Sequence, residues 1–98
     1  MSTETVAAGF DLDRPWQLHP QVSVRPERFG ALLYHFGTRR LSFLKSPALL
    51  TVVRDLGDAA SAREACRRAG LTEAELPAYA AALQTLASSQ MICPREAP

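Results

Sequence analysis

Gly30-Ala31-Leu32-Leu33-Tyr34-His35-Phe36-Gly37-Thr38-Arg39-Arg40-Leu41-Ser42-Phe43-Leu44-Lys45 consists of two apolar-rich runs around the dipeptide Gly37-Thr38, and it reads as a β-hairpin. A glycine at the first central position suits a two-residue type II′ turn, because glycine takes a positive φ there at little cost. Such a turn sets Phe36 opposite Arg39, Tyr34 opposite Leu41 and Leu32 opposite Phe43, and makes these the pairs that exchange main-chain hydrogen bonds. Leu32, Tyr34, Phe36, Leu41 and Phe43 then share one face, which is the expected core face. Ala31, Leu33, His35, Arg40, Ser42 and Leu44 share the other, a mixed face. The same alternation sends the N–H and C=O groups of Arg40, Ser42 and Leu44 away from the hairpin, where they stay in water unless another strand pairs with them.

Upstream, Gln21-Val22-Ser23-Val24-Arg25 alternates as a strand and leads through Pro26 into the hairpin, so a three-stranded antiparallel meander is the simplest sheet. Trp16, between prolines, is expected to cover one edge of the core. Residues 1–13 lack sustained periodicity and read as a flexible tail from which Phe10 and Leu12 can still dock. Downstream, Ser46 caps and Pro47 opens a helix with the apolar stripe Leu49, Leu50, Val52, Val53, Leu56. Ser61-Ala62-Arg63-Glu64 is a capping-box pattern for a second, short helix that ends at Gly70. A third helix, starting near Glu75 because of Pro77, carries Leu76, Tyr79, Ala80, Leu83, Leu86 and Ala87, and Met91-Ile92-Cys93 returns to the body. Strands followed by helices make an α+β domain over residues 14–93, with helices on one face of the sheet and a frayed end at 94–98. A winged helix-turn-helix arrangement is compatible with this order.

The 98-residue chain has room for one core, with 47% hydrophobic and 21% charged residues and a formal charge of +1. That charge offers no global field for nucleic acid or membrane, and the N-terminus lacks the basic and apolar regions of a secretion signal, so the cytoplasm is the expected location. His19, His35, Cys66 and Cys93 lack the short spacings of zinc sites, and no nucleophile elbow or phosphate loop occurs, so neither metal, cofactor nor enzymatic activity is expected. DNA binding is the competing function for this fold class. It is disfavoured because Ala69 to Pro94 contains no Lys or Arg, which leaves only Arg63, Arg67 and Arg68 on the second helix to meet phosphates.

A free β edge is the resource that remains. An extended peptide adding to the third strand takes main-chain bonds there and places side chains beside the sheet. Tyr79 and Leu83 of the third helix are candidates for the opposite wall, and Arg39 and Arg40 would favour an acidic peptide.

Pro20-Gln21-Val22-Ser23-Val24-Arg25-Pro26-Glu27, Phe29-Gly30-Ala31-Leu32-Leu33-Tyr34 and Arg39-Arg40-Leu41-Ser42-Phe43-Leu44-Lys45-Ser46-Pro47 resemble the peptide chaperones of mycofactocin biosynthesis. That family is similar to the chaperone of pyrroloquinoline quinone biosynthesis and to other leader-recognition domains. The resemblance covers about Phe10 to Ile92. It implies a winged-helix-like fold of three strands and three helices in which a precursor's leader peptide pairs with the third strand and packs on the third helix. It thereby implies a peptide-binding set of Arg39, Arg40, Leu41, Ser42, Phe43 and Leu44, with Tyr79 and Leu83 carried over by position on the helix. It further implies a radical S-adenosylmethionine maturase as second partner, to which the iron–sulfur chemistry would belong.

Overall fold

The computed structural model describes residues 10–95. The elements are β1 (Trp16–Leu18), β2 (Val22–Glu27), β3 (Gly30–His35), β4 (Leu41–Leu44), α1 (Pro47–Asp55), α2 (Ala62–Arg68), α3 (Leu76–Ser88) and β5 (Ile92–Pro94). Strands β2-β3-β4 form the expected antiparallel meander, and the helices lie on one face of it, so the domain is α+β. A second, two-stranded ribbon pairs β1 with β5, Trp16 opposite Pro94 and Leu18 opposite Ile92.

The helices form where local signals start and stop them. The Ser46 hydroxyl accepts the Leu49 N–H at 3.0 Å ahead of α1, and the Ser61 hydroxyl accepts the Glu64 N–H at 3.2 Å ahead of α2. Before α3, the Glu75 carboxylate takes the Thr72 N–H at 2.8 Å and closes a 3₁₀ turn over Glu73–Glu75. Thr72 and Glu75 thus cap the 3₁₀ turn, and Pro77 sits in the first turn of α3, where its missing N–H costs nothing.

The buried face of the hairpin is the opposite of the expected one. Ala31, Leu33, His35 and Leu44 are buried against Val52, Val53, Leu56, Leu83, Met91 and Ile92, while Phe36, Leu41 and Phe43 are 61%, 57% and 61% exposed. Leu32 and Tyr34 are half-buried on that same solvent face. The helices need small and aliphatic side chains beneath them, which the mixed face supplies. Its one fully buried polar side chain, His35, is held through one ring nitrogen: Nδ1 accepts the N–H groups of Gly37 and Thr38 at 3.0 and 3.1 Å, while Nε2 is buried without a partner.

The turn also differs from the two-residue reading. The His35 N–H donates to the Arg40 carbonyl at 3.0 Å and the Arg39 N–H to the His35 carbonyl at 2.7 Å, so the loop is Phe36–Arg39, four residues long. Arg39 takes the left-handed conformation (φ 63°), and Gly37 does not. Gly37 is needed for closeness instead, since a Cβ there would meet the Gln21 side chain and come 3.0 Å from His35 Cε1. Cross-strand partners remain Tyr34–Leu41, Leu33–Ser42 and Leu32–Phe43. The parity of the bonds is reversed, however. His35–Arg40 is a bonded pair, so by alternation Leu33–Ser42 and Ala31–Leu44 are bonded too, and Leu41 and Phe43 turn their main-chain groups outward. The other side of β3 agrees, because the Phe36 N–H reaches the Gln21 carbonyl at 2.8 Å, which directs Tyr34 and Leu32 toward β2.

Part of the expected tail belongs to the body. Phe10 is buried and stacks on Trp16 at 4.5 Å, the Trp16 indole donates to the Asp11 carbonyl at 3.0 Å, and the Arg63 N–H donates to the Leu12 carbonyl at 2.8 Å. The remainder of the expected tail, residues 1–9, lies outside the described residues, as do residues 96–98 of the expected frayed end. Arg95 is tied down, its N–H to the Pro15 carbonyl at 3.0 Å and its guanidinium to the Ala59 carbonyl. Among the described residues no helix is long and apolar enough to cross a membrane.

Candidate functional site

β4 is an edge strand of 4 residues, so one side of its ladder is unpaired. It runs antiparallel to α3 with a trough between them. The middle of the trough is a cavity of about 470 Å³ lined by Ser42, Phe43, Leu44 and Lys45 of the sheet side, Leu49 of α1, and Ala82, Thr85 and Leu86 of α3. A smaller cavity of about 140 Å³ continues it past Lys45 and Ser46 to Ala78, Tyr79 and Ala82. At the opposite end Thr38 and Arg40 face Ser88, Ser89 and Gln90 around about 260 Å³ of polar space.

The trough exists because α3 turns small residues to it. Ala78 and Ala82 are one helical turn apart, and Thr85 follows on the same face, so the helix cannot close onto β4. Its larger side chains, Leu76, Leu83 and Leu86, face the core and anchor it. The floor is apolar at Leu44 and Leu49, and the cations Arg40 and Lys45 stand at the two ends.

The residues expected to bind a peptide divide clearly. Arg40, Ser42, Phe43 and Leu44 line the trough, and Leu41 and Phe43 supply the outward main-chain groups. Tyr79 borders the smaller cavity. Leu83 is fully buried among core residues and does not reach the trough. Arg39 is on the exposed loop tip. Lys45 before α1 and Leu49 on α1 are further members, as are Ala78, Ala82 and Thr85, which the apolar stripe of α3 did not reveal. The signal that could have found them is the Ala78–Ala82 spacing, since small residues beside an edge strand leave room.

The second helix offers no unpaired cationic face. Arg63 engages Asp13 at 2.8 Å, and Arg67 and Arg68 approach Glu73 and Glu64 at 4.0 Å. The hydrogen bond from Arg63 holds the Asp13 carboxyl below its ordinary range. That pair is present at neutral pH and is lost as pH falls through the lowered value; being exposed, it contributes little. Burial pushes the Cys66 thiol up, so it stays protonated and inert. The rings of His19 and His35 lie 4.4 Å apart and tilted by 44°, and their Nδ1 atoms are occupied by main-chain donors. Among the described residues no three of His, Cys, Asp and Glu gather as metal ligands.

Known proteins resemble this chain along most of its length. The "Peptide chaperone MftB family" matches residues 15–93. The peptide chaperone MftB of Mycobacterium ulcerans is 58% identical over 91 residues, which cover 93% of this chain and 84% of that protein. The peptide chaperone MftB of Mycobacterium tuberculosis is 58% identical over 87 residues (89% and 80%), and that of Mycolicibacterium smegmatis 52% identical over 85 (87% and 83%). No solved structure matches. With a family match across both β4 and α3, and relatives this similar over four-fifths or more of each chain, the chain belongs to the MftB peptide chaperone family.

Proposed function

We propose that this protein is a non-catalytic peptide chaperone of mycofactocin biosynthesis. It takes the leader of a ribosomally made precursor as an added strand on β4 and presents the precursor to a radical S-adenosylmethionine maturase. The domain is then a winged-helix-like leader-recognition module whose wing provides the docking edge. The observation that carries the reading is the trough itself: an unpaired strand edge facing a helix that is held away by alanines. A leader strand would bond to the N–H and C=O groups of Leu41 and Phe43, each bond contributing about 1 kcal/mol. Its alternate side chains would enter the cavity over Leu44 and Leu49. Family membership supports the peptide as ligand.

Calorimetric titration with a precursor leader, against duplex DNA as competitor, tests this. The leader is expected to bind one to one and the DNA not to displace it. Ala82→Phe, which fills the trough from a half-buried position, is expected to leave the melting temperature near wild type and to weaken the leader by at least about tenfold. Full-strength binding to that variant would move the leader off the trough.

Charge provides a second test. Arg40 and Lys45 at the ends of the trough favour an acidic leader. Reversing both, Arg40→Glu with Lys45→Glu, should weaken it by on the order of tenfold, and wild-type affinity should fall as salt is raised, because such exposed pairs are screened. An affinity indifferent to both changes would mean that the leader is not acidic.

A further inference from the structure

A half-exposed antiparallel sheet ordinarily turns polar residues to water. Here the solvent face of β2-β3-β4 carries Phe29, Leu32, Tyr34, Phe36, Leu41 and Phe43. Phe29, Phe36, Leu41 and Phe43 are 47%, 61%, 57% and 61% exposed. The rings are arranged as a pavement: Tyr34 meets Phe36 edge-on at 5.1 Å, and Phe29 lies 6.2 Å from Phe43. The helices are on the other face and cover none of it. A contiguous apolar patch bounded by charge is the mark of a protein contact. Of these side chains only Phe43 also borders the trough.

The rim selects the occupant. Arg25 lies across from Leu32 and pairs with Glu27 at 3.2 Å, while Arg28 and Arg39 are exposed in the turns that flank the hairpin, so the charge along the edge of the patch is net cationic. A second copy docking face to face by two-fold symmetry would oppose cations to cations. A different protein, with an apolar centre edged by carboxylates, would satisfy both parts of the patch. Geometry narrows the choice further. A strand added at β4 continues the sheet, and every other residue of it lies on this same solvent face. A protein seated there would touch the leader as well as the chaperone.

We infer that the aromatic face of the sheet is the docking surface for the maturase, which meets it with a carboxylate-edged apolar patch and contacts chaperone and leader as one continuous sheet. The naming of this partner rests on the function proposed above.

The test uses Phe29→Ser with Phe36→Ser, two exposed positions outside the trough, and measures leader affinity and binding of the purified mycofactocin radical S-adenosylmethionine maturase separately. Leader affinity is expected to stay within about twofold, while maturase affinity falls by on the order of thirtyfold, as for loss of two aromatic anchors. Wild-type maturase binding should weaken with added salt and tighten when leader is present. Unchanged maturase binding by a variant that still takes the leader overturns the inference. So does a wild-type dimer, seen in sedimentation, that the double variant abolishes. A wild-type protein that binds maturase but no leader overturns the proposed function instead, and one that binds leader but no maturase overturns the inference alone. Should the serine variant melt early, Arg25→Glu with Arg28→Glu decides: maturase binding weakened by about tenfold supports the acidic edge, and unchanged binding refutes it.

Discussion

Ser42→Pro is expected to unfold the protein, while Leu41→Pro and Phe43→Pro stay folded and lose the leader. These three adjacent positions differ only in which way the main chain points. The four-residue loop and the His35–Arg40 bond place the Ser42 N–H inside the hairpin, paired with Leu33. Proline there removes a central ladder bond and drives its ring into β3, at a cost of about 3 kcal/mol or more. In a domain of this size that is a fall in melting temperature of roughly 12–20 °C, or outright loss of the sheet. The N–H groups of Leu41 and Phe43 point away from the hairpin, and edge strands tolerate proline on that side. Each substitution leaves a leader carbonyl without its donor, which should weaken binding by on the order of ten- to a hundredfold. Circular dichroism melts and leader titrations on the three variants check this. A stable Ser42→Pro protein, or a Leu41→Pro protein that binds at full strength, would contradict the register.

Gly30→Ala should be nearly as damaging although it adds one methyl group. Gly30 has φ 154°, where a side chain is strained, and its missing Cβ leaves room for the corner at which β4 hands over to α1. A Cβ would run into the Leu44 carbonyl oxygen and come 2.9 Å from the Leu44 carbonyl carbon and 3.0 Å from the Ser46 nitrogen. All three are backbone atoms, so no side chain can swing aside. A loss of about 3–5 kcal/mol is expected, with melting lowered by roughly 12–40 °C. A melt within about 3 °C of wild type would show that the corner yields. Because Leu44, Ser46 and Leu49 form the floor of the trough, any Gly30→Ala protein that survives should also bind leader poorly.

What could be read from the sequence was local. Ser46, Pro47, Ser61 and Glu64 announce the starts of α1 and α2 through local signals within four residues, and α3 begins next to Glu75, where Pro77 requires it. The meander order followed from short connections. The hairpin face was misread for a reason tied to function. Five large apolar side chains mark Leu32, Tyr34, Phe36, Leu41 and Phe43 as a core in any count of hydrophobicity, and Ala31, His35 and Ser42 do not. The structure buries the smaller set because α1 packs closely on it and His35 bonds its own turn. That apolar surplus on the solvent face is the patch from which a docking partner is inferred above. The turn was misread because Arg39, not Gly37, adopts the left-handed conformation, and nothing in the residue types says so. The β1–β5 ribbon joins residues at opposite ends of the chain, a pairing that no local pattern encodes. Leu83 was assigned to the trough because helical periodicity gives the stripe but not its rotation; alanines one turn apart would have located the open side.

The β1–β5 ribbon has a consequence for connectivity. With Trp16 opposite Pro94 and the Arg95 N–H on the Pro15 carbonyl, the chain enters and leaves the ribbon side by side, and on the N-terminal side the body extends back to Phe10, packed on Trp16. No residue of either strand lines the trough between β4 and α3. The body therefore behaves as a loop closed by its own clasp. It is expected to tolerate insertion into a surface turn of another protein, or fusion at either end, through linkers attached outside Phe10 and Arg95, with the recognition edge undisturbed.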